Sequence, residues 1–419
     1  MKKIVLFLSI FFAGFSQEKP RCPENTLLKS KKEYLQRIDA LKNLEILPEI
    51  PNARIGVGLV YKIPIVVHVI HNNRSLTIGG ETNQNISKEQ IQSQIKVLND
   101  DYRNKTSTQN FNPSGSDVEL EFFLATKDPD GKPTTGIIRV FNDQADYDLD
   151  SELEFVSSLS YWDSKKYLNV WVLELTDGYL GYGELPFLPS LGLEDQQNEK
   201  IDGIFVDYRN FGKGIGTSTI KNDRPIYSYG RTLTHEIGHW LGLFHTWGDA
   251  FCGDDLVEDT PTTNSANQTK FCRDKFSNCG GIRTRNLIEN YMDYSPDSCM
   301  NSFTNGQKIR MRTVIEKFQN RRLVTLNGES MSLPQSTVLA VDVFPNPVVN
   351  KLFYRTLLPK QSKIFIEIFN ETGNSLYQEV KSTTESYVDE IDVQNFKPGI
   401  YLIRINNEEA SKTIRFFKN

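Results

Sequence analysis

The chain has 419 residues, enough for more than one domain and a sizeable buried core. Its 48 basic and 53 acidic side chains give a net charge of -5, which excludes the strongly basic face a nucleic-acid binder needs against phosphates. Aromatics at 11%, with frequent Gly and Asn, suit a strand-rich, loop-rich extracellular protein better than a helical bundle.

Residues 1–16 read as an export signal. Lys2 and Lys3 form its positive region and Ile4 to Phe12 its apolar stretch, with Gly14 and Ser16 ahead of a cut before Gln17. The apolar run is short for a bilayer span, and no later segment reaches the length of a membrane helix. Secretion or attachment at the cell surface is therefore expected, with no integral membrane segment once the signal is removed. Residues 17–54 are charged and carry Tyr34, Ile38 and Leu41 at helical spacing before Pro48 and Pro51 break the chain. That composition fits a short propeptide.

The run Y-K-I-P-I-V-V-H-V-I-H, Tyr61 to His71, has the β-branched density of a buried strand. Ser87 and Gln90 form a capping box before a helix reaching about Tyr102, with Ile91, Ile95 and Leu98 on one face. Strands are expected at 118–125, 137–141, 167–175 and 201–208. A strand, a helix and then several strands indicate an α/β (α+β) domain with a mostly parallel, twisted sheet. A helix over 230–242 comes next, then an irregular stretch, 248–302, rich in Asp, Asn, Gly and Cys. Thr304 and Gln307 make a second capping box, opening a helix with Met311, Ile315 and Phe318 on one face. Polar, aperiodic residues at 326–338 read as a linker. Short alternating strands in 339–419, punctuated by Gly and Asn, indicate a small all-β sandwich.

Chemistry concentrates in T-H-E-I-G-H-W-L-G-L-F-H, Thr234 to His245. His235 and His239 stand at i and i+4, so a helix projects both imidazoles from one face toward one metal. Gly242 allows a left-handed exit from the helix, and the returning chain delivers His245 as third ligand. Three protein ligands leave a position open for water, which is the catalytic rather than the structural zinc arrangement. Glu236, beside the first ligand, is placed to act as general base and then acid in peptide hydrolysis. A non-catalytic zinc-containing adhesion protein is the rival reading, but decay would be expected to remove Glu236 or a ligand, and all are present. His68 and His71 lie on the first strand without ligand spacing and read as structural. Of the five cysteines, Cys252, Cys272, Cys279 and Cys299 crowd into the irregular stretch, where export permits disulfides in any of three pairings.

The long HExxHxxGxxH pattern resembles the metzincin metalloproteases, and N-Y-M-D-Y, Asn290 to Tyr294, is similar to their methionine turn. Within that clan I-P-I-V-V-H-V-I, G-R-T-L-T-H-E-I-G-H-W-L-G-L-F-H-T-W-G-D, D-T-P and N-Y-M-D-Y most resemble the pappalysins. The resemblance implies a catalytic domain over 55–325, zinc on the three histidines, Met292 beneath the metal and Tyr294 steadying the oxyanion. It implies disulfides Cys252–Cys279 and Cys272–Cys299, and calcium among Asp254, Asp255, Glu258 and Asp259. It also implies latency through a propeptide cysteine, for which Cys22 is the candidate, released by cleavage after Arg54. Protein or peptide substrates would join an exposed edge strand, expected at Leu180 to Pro189. The C-terminal module, with F-P-N-P at Phe344 to Pro347 and P-G-I-Y-L at Pro398 to Leu402, resembles the sorting domains read by type IX secretion machinery.

Overall fold

The computed structural model describes residues 60–419, apart from 81, 106–114, 187–198, 214–224, 333–338, 359–361, 384–385 and 408–409. The signal, the propeptide with Cys22, the outer end of the expected edge strand (187–189) and the second half of the expected linker lie outside the described residues.

One sheet organises the larger part of the molecule. Its central strand β1, Tyr61–His71, is buried along nearly its whole length. Strands β2 (Leu120–Leu124) and β3 (Ile137–Phe141) run parallel to it end to end along one side, and β4 (Leu168–Leu173) runs parallel on the other. Beyond β4 come β6 (Gly203–Asp207), parallel, and the edge strand β5 (Gly181–Gly183), the only antiparallel member among the described residues. Ile63, Ile65, Val67 and Val69 face one core and Val66 and Ile70 face others. Both faces of β1 are therefore covered, which is why its sequence is a continuous apolar run rather than an alternation.

Helix α1, Lys88–Tyr102, starts where Ser87 accepts from the Gln90 amide at 3.1 Å and lays Ile91 and Leu98 on the sheet. A short helix α2, Leu153–Leu159, which the sequence did not announce, carries Val156 into the second core. The helix α3, Arg231–Trp240, is buried at every residue and lies between α1 and the β5 edge. A disulfide-linked hairpin of β7 (Phe276–Cys279) and β8 (Ile282–Arg285) follows. Helix α4, Asn305–Lys317, has the expected capping box at Thr304 and Gln307 and buries Met311 and Ile315.

Helix α5, Gln319–Ser332, corrects the expected start of the linker at 326. Val324 and Leu326 are buried, and a Cβ on Gly328 would stand 1.9 Å from the Lys62 carbonyl oxygen. Backbone lies on backbone there, so the helix needs no apolar side chain at Gly328 and its periodicity fades from the sequence although its packing continues.

The C-terminal part pairs β9 (Ala340–Phe344), β10 (Lys351–Leu357) and β13 (Ser386–Asp392) in one antiparallel sheet. The other contains β11 (Ser362–Asn370), β12 (Ser375–Thr383), β14 (Gly399–Asn406) and β15 (Ser411–Lys418). Leu352, Tyr354 and Ile391 from the first sheet meet Ile364, Ile366, Ile403 and Phe416 from the second, forming the expected all-β sandwich.

Candidate active site

Helix α3 is fixed at both ends by residues distant in sequence. At its start, the Asp297 carboxylate accepts from the Tyr229 and Arg231 amides, at 2.9 and 3.2 Å, so it does the capping that Gly230 cannot. At its end, Arg321 of α5 donates to the Trp240 carbonyl at 2.9 Å and Arg310 of α4 to the Gly242 carbonyl at 2.7 Å. Cations on terminal carbonyls also oppose the negative end of the helix dipole. Gly242 has φ +85°, the left-handed exit that the sequence required.

The three histidines meet. The Nε2 atoms of His235, His239 and His245 lie 3.1–3.2 Å from one another, and all three side chains are buried. Each Nδ1 faces an acceptor: the Tyr291 carbonyl at 2.6 Å for His235, the Leu243 carbonyl at 2.9 Å for His239, and the Asp249 carboxylate at 2.5 Å for His245. These oxygens can only accept, so each Nδ1 carries the proton and each Nε2 presents a lone pair. Three converging lone pairs repel unless a cation lies among them. Ligands at about 2.0–2.1 Å around a tetrahedral metal stand roughly 3.3 Å apart, close to the observed spacing. Burial, reinforced by neighbouring His245, pushes His239 down to about 3, so it is neutral at physiological pH. Among the described residues this is the only group of three or more His, Cys, Asp or Glu with ligand atoms so close together.

Met292 is fully buried and packs against helix α3. A Cβ on Gly238, about two turns into α3, would stand 2.4 Å from the Met292 sulfur, so Gly238 lets the turn approach. The turn is pinned by a reciprocal amide pair: Asn290 donates to Gln307 at 2.8 Å and Gln307 to Asn290 at 3.0 Å. Tyr294 is buried with its ring centroid 5.0 Å from that of His245 and 5.8 Å from that of His235. Trp247 stacks on His245 at 4.3 Å with an interplanar angle of 6°. Glu236 is buried on the helix beside His235, directly under the edge strand: a Cβ on Gly181 would stand 2.9 Å from the Glu236 Cγ.

Several of these residues had no signal in the sequence. Asp101, buried at the end of α1, accepts from Thr234 Oγ1 and from the Tyr291 hydroxyl, both at 2.8 Å, and so ties α1 to the ligand helix and the methionine turn. Asp297, Arg310 and Arg321 likewise act across long connections that no local pattern encodes, whereas Asp249 closes the T-W-G-D end of the motif four residues after His245 without its contact being announced. His68 is held away from the cluster by Ser160 and Asn169, and burial lowers it to about 4. The structural reading of that residue stands.

The cysteines are joined as Cys252–Cys279 and Cys272–Cys299. The acidic loop does not converge: no three of its carboxylates bring oxygens within 4.8 Å of one another. Asp254 accepts from the Leu256 amide, and Asp259 caps α4 by accepting from Thr304 and the Gly306 amide. Asp255 differs. One of its oxygens accepts from the Val257 amide and Thr260, while Oδ2 is buried without a hydrogen-bond partner, and burial raises the carboxyl to about 7.

Comparison with known proteins places this geometry. A family profile for pregnancy-associated plasma protein-A peptidases matches residues 152–316, and one for a secretion-system C-terminal sorting domain matches 342–419. An extracellular metalloprotease of Verticillium alfalfae is 31% identical, the alignment covering 60% of this chain and 76% of that protein. The chain belongs to the pappalysin family of metalloproteases. Among solved structures, mature mirolysin of Tannerella forsythia in complex with a cleaved peptide is 34% identical and covers 66% of this chain and 99% of its own, with a TM-score of 0.56. A promirolysin point mutant from the same organism is 30% identical and covers 75% and 100%, with a TM-score of 0.61. This pappalysin is thus a metalloendopeptidase with a metzincin fold. Its extracellular relatives and its sorting domain mark it as a secreted protein.

Proposed function

We propose that the chain is a zinc endopeptidase in which His235, His239 and His245 hold the metal and Glu236 carries the proton. The observation that carries this reading is the convergence of three Nε2 lone pairs within 3.2 Å, each ring held in the matching tautomer by an acceptor at Nδ1. Zinc, when bound, supplies a Lewis acid that polarises a carbonyl and brings the pKa of water down to about 7. Glu236 takes the proton of the attacking water and passes it to the departing amine, and its burial between α3 and β5 keeps that transfer out of bulk solvent. Tyr294 donates to the negative charge that develops on the scissile carbonyl oxygen.

The substrate is an extended protein segment. Strand β5 pairs with β6 on one side and is the edge of the sheet on the other, so an added strand there passes above Glu236. Asp255 is the member of the acidic loop that fits calcium, because its buried, unpartnered Oδ2 needs either a proton or a hard cation. We assign 1–16 to a signal, 17–54 to a propeptide in which Cys22 blocks the metal, 55–332 to catalysis, with helix α5 included, and 339–419 to recognition by type IX secretion machinery.

The test is cleavage of casein by the propeptide-free chain beside Glu236→Ala, with and without a zinc chelator. Cleavage is expected only from the untreated wild type, with zinc retained by the variant. Equal inertness of both proteins at full zinc occupancy would sink the catalytic reading.

A further inference from the structure

The three ligand histidines are not supported alike. His235 and His239 sit on a rigid helix, and each leans on a backbone carbonyl, of Tyr291 and Leu243. His245 lies beyond the helix end, on irregular chain that has already turned through Gly242, so helical geometry does not set its ring. Trp247 covers one face of that ring and Tyr294 meets it edge-on at 74°. These contacts confine the ring plane but not its rotation within the plane. The Nδ1 partner supplies that constraint, and for His245 alone it is an anionic side chain, Asp249 at 2.5 Å.

The backbone is bent to make this bond. Asp249 has φ +52°, a left-handed conformation that a non-glycine residue adopts at some cost, and its side chain is only 11% exposed. Gly248, immediately before it, has φ +57°, and a Cβ there would stand 2.4 Å from the Asp254 amide. The turn is therefore closed against the acidic loop, and the carboxylate is returned to the ring of a residue four positions earlier. Backbone strain combined with a charge-assisted hydrogen bond to a ligand is the signature of a device maintained for the site.

We propose that Asp249 is a positioning residue for the metal centre, locking His245 in its Nδ1-protonated tautomer and strengthening the donation of its Nε2 to the metal. The inference rests on the zinc reading above. Carboxylates in this relation to a ligand imidazole typically govern 10–100-fold in metal affinity. Asp249→Asn leaves only a neutral acceptor, and Asn tolerates the left-handed backbone as well as Asp does. Asp249→Gly removes the acceptor and also relieves the backbone strain.

The experiment measures zinc dissociation constants by competition with a chelating dye, for the full propeptide-free chain and both variants, together with melting of each metal-free protein. Expected are a weakening of zinc binding by about 10–100-fold in both variants and a metal-free melting temperature for Asp249→Gly at or above wild type. Opposite movement of affinity and apo stability is what a merely structural role does not produce. Zinc binding within twofold of wild type in both variants overturns the proposal, as does a parallel fall of affinity and apo stability in Asp249→Gly. Wild type that takes up no zinc one-to-one overturns the zinc reading itself, and this inference with it.

Discussion

The edge strand and the ligand helix touch through glycines, and Gly183→Ala tests what that contact does. The Gly183 backbone lies outside the left-handed region, so alanine meets no backbone penalty. Its Cβ, however, would fall 2.2 Å from the Glu236 carbonyl oxygen and 3.0 Å from the carbonyl carbon. Bringing the first contact beyond the 3.0 Å floor that real Cβ atoms observe requires a shift of at least 0.8 Å (3.0 less 2.2). The strand gives way before the helix does. β5 is three residues long and paired on one side, whereas α3 is held by Asp297 at one end and by Arg310 and Arg321 at the other. Overpacking of this kind costs about 1–3 kcal/mol. An edge strand displaced by about an ångström misplaces the bound peptide relative to Glu236, which costs roughly 100-fold in rate. The assay is kcat/KM on a fluorogenic peptide, with thermal melting of the zinc-loaded protein. A variant with wild-type kcat/KM and an unshifted melting temperature would refute the reasoning, because the contact would then be accommodated without moving β5.

Tyr294→Phe is expected to lower kcat by about 100-fold or more with little change in KM, the behaviour of a donor used mainly in the transition state; steady-state kinetics on the same peptide checks it, and an unchanged kcat would assign Tyr294 to packing alone. Each disulfide closes a separation of 27 residues, so loss of either one should cost about 3.5 kcal/mol in unfolding experiments on Cys→Ser pairs. The two loops overlap, and the double loss should therefore be less than additive. Asp255 gives a pH signature: its folded pKa is raised to about 7 from an ordinary 3.8, so the folded state binds the extra proton. Stability from this group is therefore full below about pH 4 and declines as pH rises through about 7. Asp255→Asn should flatten that decline in a melting series from pH 4 to 8, and calcium added at pH 8 should stabilise wild type but not the variant. A wild-type profile with the same slope as the variant would show that Asp255 does not titrate in this window.

The central strand, α1, α3, α4 and the antiparallel strands of the C-terminal sandwich were legible because their causes are local, whereas the cysteine pairing came only from the family resemblance. A β-branched run, a capping box and a helical i, i+4 spacing act over a few residues, and the sequence states them directly. The histidine cluster was legible for the same reason, since His235, Glu236, His239, Gly242 and His245 lie within a helix and one turn. What the sequence did not disclose depends on residues that meet only after folding. Asp101 reaches Tyr291, Arg321 reaches Trp240 and Asp297 reaches the start of α3 across long separations, each answering a polar group that burial would otherwise leave unsatisfied. Gly181, Gly183, Gly238 and Gly328 look like ordinary turn or breaker residues in sequence, yet in the fold each marks a surface where two elements come too close for a side chain. Local spacing thus determined which residues could bind a metal and move a proton. Tertiary packing decided how near the edge strand lies to Glu236, which acceptors orient the three imidazoles, and where helix α5 ends, because those depend on the distances between elements rather than on the order of residues within one.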